Sequence, residues 1–205
     1  MNIKSTLLLF FVSVYYVSFS QTAPPVEWQK PLGGTIDDFA YDSYYNADGS
    51  IMLCGSTFSQ DGDVGLNHGN AEGWVVKLDA SGNVIWKKTY GGTDYDILTS
   101  IKATSDNGYI LAGYTASDDG DVSGNHSVDY TDGWIIKITN SGIIQWQKCI
   151  GGTDDDKFDV VQTTADGGYI LAGYSFSADG DVGNNKGMGD GWVVKLDVAG
   201  TIQWQ

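Results

Sequence analysis

One block of text occurs three times in this chain, and that repetition restricts the fold more than any other feature. Trp28, Trp86, Trp146 and Trp204 mark its phase, at spacings of 58, 60 and 58 residues. After the first three of them the text reads WQKPLGGTIDD, WKKTYGGTDYD and WQKCIGGTDDD. Next come NADGSIMLCGSTFSQDGDV, TSDNGYILAGYTASDDGDV and TADGGYILAGYSFSADGDV, and then EGWVVKLDASGNVI, DGWIIKITNSGII and DGWVVKLDVAGTI. Each unit has a second tryptophan, Trp74, Trp134 or Trp192, so all seven tryptophans fall on two repeat positions. The units run over 28–85, 86–145 and 146–203, within a repeat region 21–205. The two extra residues of the middle unit lie between Asn125 and Trp134.

Each unit reads as four short strands. In the middle unit they are 97–104, 109–115, 134–138 and 143–149, and Tyr109 to Thr115 is rich in β-formers. Ser105-Asp106-Asn107-Gly108 and the stretch around Asn140-Ser141-Gly142 are turn sequences, with glycine available for a positive φ. No segment sustains a 3.6-residue apolar period, and glycine is too frequent for long helices. Four strands per repeat is the pattern of a propeller blade. The predicted fold is therefore all-β, a β-propeller-like array of four-stranded antiparallel blades with three repeats present. Propellers close with four to eight blades, so the expectation is an incomplete propeller, a piece of a longer array. Trp28-Gln29-Lys30 and residues 201–205 both read as fourth strands. An open end leaves an unpaired edge, and self-association through open blade edges is one way to cover it.

The amino terminus reads as a signal peptide, residues 1–20. Lys4 precedes an apolar run, Leu7 to Val17, too short to span a bilayer, and Ser18 and Ser20 suit cleavage before Gln21. No second apolar run follows, so the mature chain is expected to be exported, with no membrane span after cleavage. The full sequence carries 26 acidic residues against 11 basic ones, all of them lysine, for a net charge of −15. A nucleic-acid partner needs a basic footprint and is excluded on this balance. All the acids but Glu27 and Glu72 are aspartate, which favours turns and caps, so the charge belongs to loops. Cys54 and Cys149 fall on strands of different repeats and read as small buried residues rather than as a disulfide.

The pattern WQKxxGGTxxD…DGGYILAGY…DGDV…DGWVVKLDxxGxIxWQ, from Trp28 to Gln205, resembles the repeat of secreted β-propeller proteins of Bacteroidetes. Such proteins often end in a sorting domain for type IX secretion. The resemblance implies a propeller and an extracellular or outer-surface address. A weaker likeness is to the tryptophan-docking motif of quinoprotein propellers, in Leu78-Asp79-Ala80-Ser81-Gly82 followed by Trp86 and Gly91. The aspartate-to-glycine spacing is one residue short of that motif, and the vicinal cysteines of the quinoprotein dehydrogenases are absent.

Strand direction alternates within a blade, so the loops after second strands and the links between units leave from one rim. That rim gathers the DGDV loops, 59–73, 117–133 and 177–191, and the GGTxxD segments. The DGDV loops align as Asp61, Asp63, Asn67 and Glu72; Asp119, Asp121, Asn125 and Asp132; and Asp179, Asp181, Asn185 and Asp190. Two readings stand. These are hard oxygen ligands in glycine-rich loops, as calcium requires; or they are side chains closing turns on nearby N–H groups. Asp38, Asp96 and Asp156 of GGTxxD read as turn caps. His68 and His126 share a repeat position held by Lys186 in the third unit, and no serine or cysteine is matched to them as a nucleophile. The recurring tryptophans read as blade packing, and the strand lysines, such as Lys77, Lys137 and Lys195, as partners of recurring aspartates. The expected function is an exported, non-catalytic scaffold or binding module at the cell surface, with a protein or glycan ligand and calcium as the candidate cofactor. The alternatives are an extracellular glycan-active enzyme, a quinoprotein-like propeller or an adhesin stalk.

Overall fold

A computed structural model describes residues 23–183 and 185–205, and the signal-peptide reading of residues 1–20 lies outside them. Among the described residues twelve strands follow in order: β1 (Asp38–Tyr45), β2 (Ile51–Thr57), β3 (Glu72–Leu78), β4 (Val84–Tyr90), β5 (Asp96–Ala103), β6 (Tyr109–Thr115), β7 (Asp132–Ile138), β8 (Ile144–Ile150), β9 (Asp156–Thr163), β10 (Tyr169–Ser175), β11 (Asp190–Leu196) and β12 (Ile202–Trp204). They form three four-stranded antiparallel meanders, β1–β4, β5–β8 and β9–β12. The fold is an all-β, propeller-like array of three blades, as the repeats predict.

Blade order follows from period-2 patterning. On β7, Trp134, Ile136 and Ile138 point back into a core shared with Met52, Cys54 and Val75 of the first blade. Ile135 points forward into a second core with Phe158, Val161 and Leu171 of the third blade. Every residue of β7 is buried, which gives the continuous apolar run of a strand covered on both faces. The first strands, β1, β5 and β9, pack in sequence, so they line the inner side of the array. Each carries a bulge that takes one residue, Tyr41, Thr99 or Asp159, out of the ladder. Bulges of this kind re-aim a side chain, and the Thr99 hydroxyl donates to the Phe158 carbonyl of β9 at 2.7 Å.

The outer tryptophans bind blade to blade. A side chain added to Gly142 would touch Trp86, and one added to Gly200 would touch Trp146. Trp28 packs on Gly82 in the same way, and Lys30 donates to the Gly82 carbonyl at 3.0 Å. The inner tryptophans are buried, as expected of blade packing. Cys54 and Cys149 are buried and free. Lys137 pairs with Asp106 and Lys195 with Asp166, at 2.8 and 2.9 Å, so the strand lysines meet the aspartates of the short turns. Lys77 departs from this and reaches Asn140 of the next blade at 2.6 Å.

One boundary differs from expectation in a way that matters. The third strands begin at Glu72, Asp132 and Asp190, two residues before their tryptophans. Main-chain pairing with Thr57, Thr115 and Ser175 extends the ladder that far. These three carboxylates therefore stand on strands, not in loops.

Candidate functional site: an acidic rim and an inner aromatic cleft

The two aspartate-rich elements meet on one rim, where each DGDV loop clamps the GGT turn of its own blade. Oδ1 of Asp61, Asp119 and Asp179 accepts the N–H of Thr35, Thr93 and Thr153 at 2.8, 2.7 and 2.9 Å. The next residues, Gly62, Gly120 and Gly180, have φ of +66°, +63° and +63°, which glycine adopts without strain. That turn lets the N–H groups of Asp63, Asp121 and Asp181 donate to the carbonyls of Gly33, Gly91 and Gly151. Asn67, Asn125 and Asn185 tie the loops inward through bonds to the carbonyls of Ser59, Ser117 and Ser177. Glu72, Asp132 and Asp190 accept the N–H groups of His68, His126 and Lys186. The twelve candidate residues thus separate into sets holding different parts of the loops. Among the described residues no three His, Cys, Asp or Glu side chains converge as a metal-binding group.

The GGTxxD aspartates cap their turns and do more. Oδ2 of Asp38, Asp96 and Asp156 accepts the N–H of Gly34, Gly92 and Gly152, each at 2.7 Å. It also accepts the hydroxyl of Ser59, Ser117 or Ser177. Asp96 and Asp156 are fully buried at the blade junctions, where their N–H groups donate to the carbonyls of Ala71 and Thr131 of the preceding blade. Glu72 and Asp132, equally buried, stand on the same junctions. Burial pushes the Asp96 carboxyl up to about 6, against its hydrogen bonds, with Glu72 adding repulsion. Burial raises Asp132 too, offset in part by His126, whose Nδ1 lies 2.6 Å away.

On the same rim, toward the inner side, lies a cleft of about 530 Å³ that spans all three blades. Phe39, Tyr41 and Phe58 line it from the first blade, Tyr95 and Tyr114 from the second, and Lys157 from the third. Phe39 and Tyr41 stack with planes 10° apart, and Phe58 meets Tyr95 edge-on at 6.3 Å. The Lys157 ammonium lies 4.2 Å from the centre of the Tyr114 ring, within cation–π range. Asp94, Asp129 and Thr131 add polar groups to the lining. Neither His68 nor His126 lines the cleft. This is where the repeats diverge: Phe39, Ile97 and Lys157 share one position, as do Tyr41, Thr99 and Asp159, and Ser56, Tyr114 and Tyr174. Aligning the units by position and asking where they disagree would have found the cleft. Attention to the recurring aspartates passed over it.

A second cavity, of about 420 Å³, lies on the third blade beside Trp192, Val193 and Trp204. It lies on the face equivalent to the one that the first and second blades bury against their successors. Val193 is 43% exposed, whereas its counterparts Val75 and Ile135 are fully buried.

No protein-family profile matches the chain. The regulatory protein FlaEY of Caulobacter vibrioides is 25% identical over 185 residues, covering 85% of this chain. The chain spans 19% of the length of that curated relative. Among solved structures, a mutant of the Synechocystis apocarotenoid oxygenase aligns with a TM-score of 0.39 and 14% identity, over 76% of this chain and 34% of that one.

Proposed function

We propose that this protein is an exported, non-catalytic binding module that holds an extracellular glycan in the inner cleft. The observation that carries the reading is where the three copies differ. Packing positions repeat from blade to blade, while the cleft positions vary and are enriched in aromatic side chains. A scaffold with a ligand site would diverge in this way, because only the ligand face is free to become asymmetric.

A sugar chain suits the lining. Its apolar ring faces stack on tyrosine and phenylalanine, and its hydroxyls bond to carboxylates, hydroxyls and an ammonium. The net charge of −15, with Asp94 and Asp129 in the lining, disfavours anionic glycans and favours neutral ones. The aromatic lining holds no histidine placed to activate a nucleophile, and binding alone accounts for its composition.

The test is calorimetric titration of residues 21–205 against a panel of neutral oligosaccharides. Binding is expected, and Tyr41→Ala and Tyr114→Ala are each expected to weaken it about tenfold or more, as loss of a buried aromatic anchor does. Lack of binding across the panel, or affinity unaltered in both variants, would remove the glycan reading. Turnover of a bound oligosaccharide would replace it with the enzymatic one.

A further inference from the structure

We propose that the junction between the second and third blades is a calcium site built on Asp132 and Asp156. Both residues are completely excluded from solvent. In each, Oδ1 meets no hydrogen-bond donor. Five buried side-chain polar atoms are left without a partner among the described residues, and three are junction carboxylate oxygens, the third being Glu72 Oε2. The two carboxylates flank Gly151, where an added Cβ would strike Asp132 Oδ1 and Asp156 Oδ2 together. Two anionic groups this close in a dry interface repel each other unless a proton or a cation lies between them.

The neighbouring bases leave the free oxygens free. His126 lies against the other oxygen of Asp132, with its Nε2 3.7 Å from Asp181. Lys137, on the same strand as Asp132, is committed to Asp106. The first junction shows what is missing here. There Thr115 donates its hydroxyl to Oδ1 of Asp96, and Gly92 and Ser117 serve Oδ2. The third blade has Ser175 in place of that threonine, and Asp156 keeps only the Gly152 and Ser177 bonds. So one junction holds a single orphan oxygen, on Glu72, and the other holds two, one on Asp132 and one on Asp156.

Hard anionic oxygens beside glycine main chain select calcium over the softer transition metals. Among the described residues no third acidic or histidine side chain converges, so the ion would draw its remaining ligands from main-chain carbonyls and from water it carries in with it. Of the DGDV-loop candidates the site uses only Asp132, which stands on β7, whereas Asp119 and Asp179 are already taken up by Thr93 and Thr153. It stands independently of the glycan reading.

The experiment is a thermal melt of residues 21–205 at neutral pH in chelator, in calcium and in magnesium, with calorimetric titration of calcium alone. A single calcium ion is expected to bind. At about a hundred times its dissociation constant it should raise the midpoint by roughly 5–10 °C. Asp132→Asn and Asp156→Asn should abolish both signals. In chelator these variants should melt at or above the parent, because the amide removes the repulsion. Asp119→Asn, in the DGDV loop, should keep the calcium response. Three results would each overturn the site: no calcium binding by the parent, a full response in both junction variants, or a response lost in Asp119→Asn but kept in Asp156→Asn.

Discussion

Asp96 shows how far a single residue can be read from its local text. Its capping of the GGT turn was legible, since a glycine N–H and a serine hydroxyl recur at fixed offsets. Its burial was not, because burial comes from the neighbouring blade. Asp38 makes the equivalent cap and is only half-buried, with no sheet before it among the described residues. The consequence is a pH dependence. A carboxyl raised to about 6 in the folded chain holds a proton that the unfolded chain releases near 3.9. Its contribution is present in full below the unfolded value and is lost as pH rises through 6, on the order of 2–3 kcal/mol. Asp106 and Asp166 act the other way. Their lowered values, from the lysine and threonine bonds, withdraw stability only as pH falls below the ordinary carboxylate range. In chelator, denaturant unfolding should therefore show stability falling between pH 4.5 and 7. Asp96→Asn, which mimics the protonated acid, should flatten that slope; an unchanged slope would show that Asp96 does not titrate there.

Elements were the most legible scale, because strand count, order and turns follow from local periodicity repeated three times. The second strand of the middle unit spans Tyr109 to Thr115 in both sequence and structure. The third strands begin earlier than apolar content suggests, since a charged residue can open a strand when its main chain pairs. What a strand needs from its neighbours is tested by two glycines at one repeat position. A Cβ on Gly133 would run into the Phe158 ring of the next blade, whereas one on Gly191 meets nothing within 4 Å. Gly133→Ala should cost about 1–3 kcal/mol as overpacking, and Gly191→Ala should be close to neutral, measured by urea unfolding. A large cost at Gly191 would mean that another blade or a second copy covers the third face in solution.

At the scale of the whole molecule, the middle blade shares a core with each neighbour, and each outer blade shares only one. Stability in stacked repeats is carried by such shared interfaces. Hydrogen exchange should be slowest in β6 and β7 and fastest in residues 23–37 and β12; equal protection of β7 and β11 would contradict the exposed third face. The sequence by itself determined the blades, their number in this chain, the strand order, the turns and the rim on which the loops gather. All of these rest on contacts close along the chain, or on a pattern copied from one unit to the next. Only the tertiary structure decided that Asp132 and Asp156 are buried together beside Gly151, and that Phe39, Tyr41, Tyr95 and Tyr114 share one cleft. Both depend on how one sheet is placed against the next. A repeat position records what its own blade requires, but not which of its side chains the neighbouring blade will bury.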